Sequence, residues 1–207
     1  MNEVIMGTLV LSLLHALIPS HWLPFITIGK AERWPERRTL GVTALAGAAH
    51  TVSTSLLGLV VALAGYELSE SYHDLSERVI PAVLLVLGVY YLMQHLRHRH
   101  THDHVGIRRV RERSFVALLV SLCVGMFLSP CLEVEAYFLS AGALGWGAVG
   151  TVALIYNTVT LAGMLGMVWF GYRSLKRIDA YWFEHRENLI TGLTLVGLAT
   201  LNFFVEF

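Results

Sequence analysis

The chain has 207 residues, of which 55% are hydrophobic and 14% charged, with zero formal net charge and a mean hydropathy of +0.59. Soluble domains carry about 25% charged residues, so the composition excludes an ordinary soluble enzyme and implies an integral membrane protein. The expected macroscopic partner is a lipid bilayer, not a nucleic acid.

Six stretches approach the roughly 20 apolar residues that a spanning helix needs: Val4 to Ile28, Leu40 to Leu68, Val79 to Leu96, Phe115 to Leu139, Gly145 to Tyr172 and Leu189 to Phe207. Basic residues follow the first, third and fifth of them: Lys30, Arg33, Arg37 and Arg38; then Arg97, Arg99, Arg108, Arg109, Arg111 and Arg113; then Arg173, Lys176, Arg177 and Arg186. Only Arg78 lies in another loop. Cytoplasmic loops collect Lys and Arg, so six helices with both termini outside satisfy the rule at every loop. The start Met1-Asn2-Glu3 has no basic region, so the first helix is expected to stay in the mature protein.

The first stretch carries His15-Ala-Leu-Ile-Pro-Ser-His21 and the second Gly47-Ala-Ala-His50. Two positions six apart are separated by about 600° on an ideal helix, so His15 and His21 share a face only if Pro19 breaks the helix between them. Neutral imidazole offers a lone pair to Ni, Co, Zn, Cu or Fe, whereas Mg or Ca prefers oxygen. The bland alternative is that each histidine bonds a neighbouring helix. The third stretch runs into His95, His98, His100, His102 and His104, half of the chain's ten histidines. Such a tract captures metal loosely, or its arginines lie against anionic headgroups.

The fourth stretch carries Ser129-Pro130-Cys131-Leu132-Glu133-Val134-Glu135. An ionised acid at the bilayer centre costs about 2.5 to 3.5 kcal/mol, so the carboxylates need a reason to be there. Glu133 is the preferred ligand because it is nearer the proline and the deeper of the two acids; Cys131 also reads as a small buried hydrophobe, and at least one of Glu133 and Glu135 as a residue facing the outer vestibule. Cys123 is the chain's other cysteine. Asn157 and Thr160 lie in the fifth stretch. Trp34, Trp146, Trp169 and Trp182 fit interfacial belts.

The polar segment 97–114 divides one transmembrane domain, residues 1–207, into halves of about 1–96 and 115–207. Three helices per half is odd, so the second half enters from the opposite face. The expected architecture is all-α, a polytopic 3+3 inverted repeat. Pro19 and Pro130 interrupt corresponding helices, and His50 and Asn157 lie at similar depths. Paired interruptions point to a midplane site.

His15-Ala-Leu-Ile-Pro-Ser-His21 resembles the His-x4-Asp-His signature of the nickel/cobalt transporter family (NiCoT/NicO), and Gly47-Ala-Ala-His50-Thr51 its second histidine motif. Gly125-Met126-Phe127-Leu128 and Tyr156-Asn157-Thr158-Val159-Thr160 are similar to its Gly-Met-x-Leu and Tyr-Asn-x-x-Val-Thr elements. Ser20 stands where the family has aspartate. Six helices with a His-rich loop resemble the efflux branch. The resemblance implies export of a divalent transition metal, Ni or Co, with Zn or Fe as further candidates, across a bacterial inner membrane. The ion is then the substrate, held by His15, His21, His50, Cys131 and Glu133, with Ser20, Glu135, Asn157 and Thr160 beside them. No enzymatic activity and no resident cofactor are expected, and a homo-oligomer is compatible with the reading.

Ser-Pro-Cys also resembles membrane electron conduits related to cytochrome c biogenesis proteins, whose plan, like that of LysE-type proteins, is distantly similar. Those conduits need a cysteine in each half, and the first half offers Ser20. A third alternative is an intramembrane metallohydrolase, although no His-Glu-x-x-His pair occurs. The absence of a Gly-x4-Gly-Lys-Ser/Thr loop argues against ATP hydrolysis.

Overall fold

The structure, a computed structural model, describes residues 1–67, 80–97 and 115–174, with isolated helical positions from 189 to 200. The described residues form helices α1 (Asn2–Ala16), α2 (Pro19–Ala31), α3 (Glu36–Glu67), α4 (Ile80–Arg97), α5 (Phe115–Phe127), α6 (Glu135–Leu144) and α7 (Trp146–Ser174), and no strand. Three stretches, Asn2–Ala31, Glu36–Glu67 and Trp146–Ser174, are long and apolar enough to cross a membrane. The sixth expected helix and loop residues 98–114 lie outside the described residues, isolated positions apart.

The first and fourth expected helices are each two helices. Pro19 forces Ile18 into extended backbone, with φ −62° and ψ 124°, so α1 stops and α2 begins with the proline in its first turn. The carbonyl of Leu17, left without a helical donor, accepts from the Trp22 indole N–H at 3.1 Å. In the second half, α5 ends at Phe127 and α6 starts at Glu135, with Ser129-Pro130-Cys131 in the non-helical connection. Gly145, at φ +102°, separates α6 from α7, a backbone angle open to glycine without penalty.

Helix α2 ends in a Schellman turn. The Trp34 N–H bonds the Gly29 carbonyl at 2.8 Å and the Arg33 N–H bonds that of Lys30 at 3.2 Å. The turn needs a left-handed residue, and Arg33 supplies it at φ 54°. Trp34, expected in an interfacial belt, is instead buried at 6% exposure, because as the residue after the left-handed position it closes over the turn. It packs edge-on against Phe115, and its carbonyl accepts from the Tyr172 hydroxyl. Trp146 and Trp169 are exposed, as expected of belt residues.

Helix α3 is the central pillar, packed against α2, α5, α6 and α7. Its 32 residues rise about 48 Å, more than the roughly 30 Å of hydrocarbon in a bilayer, and His50 falls near its midpoint. Against α6 the backbones meet directly. A Cβ on Gly65 would clash with the Leu139 carbonyl and one on Gly142 with the Ala62 carbonyl, so both positions require glycine. Two apolar clusters flank the pillar, one around Tyr137, Phe138 and Tyr156, the other around Trp22, Phe25, Ile26 and Met164. At the start of α3, Glu36 takes a bidentate ion pair from Arg173 at 2.9 Å, and the Arg38 guanidinium lies 3.8 Å from the Phe115 ring centre.

Candidate metal centre

The break at Leu17–Ile18 solves the facing problem of His15 and His21. His15 ends α1, His21 is in the first turn of α2, and the turn between them brings their ring centres to 4.3 Å. His50 from the middle of α3 lies with its ring centre 4.9 Å from that of His21 and 5.8 Å from that of His15. From the second break comes Cys131, whose Sγ is 3.5 Å from Nε2 of His21 and 3.5 Å from Nε2 of His50. One donor atom from each of His15, His21, His50 and Cys131 lies within 4.8 Å of the others. All three histidines are buried.

Proline chemistry also orients the centre. Pro130 has no N–H to give the Met126 carbonyl four residues earlier, and that carbonyl accepts from the Ser129 N–H at 3.4 Å and from Nδ1 of His50 at 3.3 Å. A carbonyl only accepts, so Nδ1 of His50 carries the proton and Nε2 keeps its lone pair toward Cys131. Nδ1 of His21 is likewise engaged, 3.2 Å from the Ser20 hydroxyl, leaving Nε2 toward the sulfur. Cys131 is itself fixed by its backbone N–H, which donates to Thr54 Oγ1 on α3 at 3.2 Å. Nε2 of His15 is buried with no hydrogen-bond partner among the described residues. One thiol proton can serve one of the two Nε2 atoms that face the sulfur; a cation serves every lone pair at once.

A cavity of about 250 Å³ reaches the centre, lined by residues of both breaks, among them Ser20, His21, His50, Ser129, Cys131 and Glu133. Glu133 thus stands at the edge of the same cavity, while Cys131 and not Glu133 joins the four-residue group. Glu135 is in the first turn of α6, where the helix dipole favours a carboxylate, and both its oxygens are buried without a hydrogen-bond partner among the described residues. Asn157 does not join the centre; its amide donates to Ser55 Oγ at 2.6 Å and to the Ala153 carbonyl at 2.7 Å, tying α7 to α3. Thr160 is buried on α7, its hydroxyl without a partner among the described residues. The side chain of His95 and the whole of His98, His100, His102 and His104 lie outside the described residues.

Among known proteins, the chain matches no family model, no curated protein and no solved structure. Its chemistry is therefore read from its own residues. A buried group of three imidazoles and a thiol within apolar helices is compatible with a metal-handling membrane protein.

The burial of Tyr156 beside the centre, its ring centre 6.0 Å from that of His15, was not anticipated from the sequence as part of the site. Its Tyr-Asn pair signalled a motif, but nothing local says that a tyrosine on α7 reaches α1. The Met126 carbonyl was likewise missed. Its signal is the proline four residues on, which removes its regular helical donor and leaves a lone pair for another.

Proposed function

We propose that the protein is a membrane transporter of divalent transition metal ions, and that the ion is held near the midplane by His15, His21, His50 and Cys131. One observation supports this most: metal-ligand side chains from two separate helix breaks converge on one cavity beside the centre of the longest helix. Broken helices at corresponding places are how transporters build midplane sites. The cavity has the volume of about eight waters, so an ion enters partly hydrated and exchanges water for imidazole in stages. Glu133 at the cavity edge offsets the charge of an arriving cation.

In this proposal six spans form a 3+3 inverted repeat with both termini outside, and the ion is exported. The cytoplasmic histidine tract gathers ions for the central site. Coupling follows from the ligands: the imidazoles offer lone pairs and the thiol must lose its proton to bind, so capture releases a proton and proton return drives release. The electron-conduit alternative needs a second thiol in the opposite break, and that place is Ser20. The hydrolytic alternative needs an open coordination position, and Cys131 takes the fourth direction.

The test is metal flux into proteoliposomes for wild type, His21→Ala and His50→Ala, with insertion and folding monitored alongside. Flux falls to the protein-free background in both variants while folding is retained, since neither substitution leaves a charge unpaired in lipid. Wild-type flux in both folded variants means that the histidines are structural and removes the proposal.

A further inference from the structure

We infer that the centre selects ions that take tetrahedral nitrogen–sulfur coordination, zinc(II) and cobalt(II), over nickel(II). This rests on the metal-transport reading above and narrows the set of nickel, cobalt, zinc and iron that the family resemblance implies. With metal–nitrogen bonds of about 2.05 Å and a metal–sulfur bond of about 2.3 Å, two ligands of a tetrahedral ion sit about 3.6 Å apart for a nitrogen–sulfur pair. The same bonds at a right angle, as in square-planar or octahedral coordination, bring a nitrogen–sulfur pair to about 3.1 Å. Both sulfur–nitrogen distances in the centre, His21 Nε2 and His50 Nε2 to Cys131 Sγ, are 3.5 Å. The tetrahedral edge is within about 0.1 Å of both, whereas the right-angle edge requires both pairs to close by about 0.4 Å.

The other donors are within reach of the same ion. All four donors lie within 4.8 Å of one another, so the widest pair closes by at most about 1.5 Å to reach a tetrahedral nitrogen–nitrogen edge. The donors come from the end of α1, the start of α2, the middle of α3 and the connection between α5 and α6, and so are not confined to one plane by a shared helix face. Three imidazoles and one soft sulfur suit a borderline ion, and tetrahedral sites with sulfur among the ligands are characteristic of zinc, whereas nickel(II) favours square-planar or tetragonal sites. On binding, the S–H bond of Cys131 breaks as the sulfur–metal bond forms, and its proton leaves to water in the adjoining cavity. The bound unit keeps a single positive charge, the ion's two less the thiolate's one.

Cobalt(II) serves as the optical probe because its spectrum reports coordination number. The purified full chain, titrated with cobalt(II), is expected to hold one ion tightly, apart from ions captured loosely by the histidine tract, and to show the intense visible bands of a tetrahedral complex together with a near-ultraviolet sulfur-to-cobalt charge-transfer band. Cys131→Ser removes the charge-transfer band; Cys123→Ser, which alters the other thiol, keeps it. Zinc(II) displaces the cobalt at stoichiometric concentration, and nickel(II) requires at least a hundredfold excess. The faint spectrum of octahedral cobalt, or displacement by stoichiometric nickel, overturns the selectivity. If nickel flux in proteoliposomes persists alongside such a result, transport stands and only the coordination inference falls. A tetrahedral sulfur-ligated spectrum with no flux of any ion has the opposite meaning: the coordination is upheld and transport is lost.

Discussion

Replacing Pro130 by alanine tests whether a missing backbone N–H helps to build the centre. In the native chain His50 Nδ1 is 3.3 Å from the Met126 carbonyl, which Pro130 cannot engage. Alanine restores a donor at position 130, four residues beyond Met126, and the natural partner of that donor is the Met126 carbonyl. Helix α5 then grows past Phe127 at the expense of the connection that carries Cys131. Losing the hydrogen-bond partner of a ligating histidine lowers metal affinity by about 10- to 100-fold, which is about 1.4 to 2.7 kcal/mol. The global fold should not weaken, because alanine removes a helix-breaking residue. Competition with a chromophoric chelator, using zinc(II) and the purified protein, reads the affinity; circular dichroism reads the added helix. Unchanged affinity in a variant whose helix content has risen would refute the reasoning, since the carbonyl would then have been withdrawn from His50 without consequence.

Two further substitutions test the packing that carries the centre. Gly142→Ala places a methyl group against the Ala62 carbonyl, a backbone obstacle that cannot rotate away, and should cost about 1 to 3 kcal/mol in unfolding measurements in detergent; a neutral effect would mean that α3 and α6 are not in backbone contact. Arg33→Gly relieves a left-handed conformation that costs a residue with a side chain about 1 kcal/mol, so thermal unfolding should move upward by a comparable stabilisation, and a downward shift would contradict the Schellman turn.

The helix breaks were legible because proline acts locally. Pro19 and Pro130 each mark an interruption that the structure contains, and His15, His21, His50 and Cys131 were all named as candidates from their place in apolar runs. The choice between Cys131 and Glu133 was not legible. Once the helix stops, angular periodicity no longer says where a side chain points, and the direction of Cys131 is set by the bond from its N–H to Thr54, 77 positions away. Asn157 matched His50 in depth along its helix, yet depth says nothing of facing, and it bonds Ser55 instead. The turn at Arg33 was hidden for a different reason: glycine or asparagine announces a left-handed residue, and an arginine held there by the burial of Trp34 does not.

The order of the ligands along the chain has a consequence for biosynthesis. His15, His21 and His50 all belong to the first 50 residues, and Cys131 follows His50 by 81. At a synthesis rate of about 5 to 20 residues per second, the sulfur is made roughly 4 to 16 s after the last histidine. During that interval a nascent chain can offer nitrogen ligands alone. In the coordination proposed above, the preference conferred by sulfur arises only when the second break docks on α3, so a newly made protein would meet metal ions with less discrimination than a finished one.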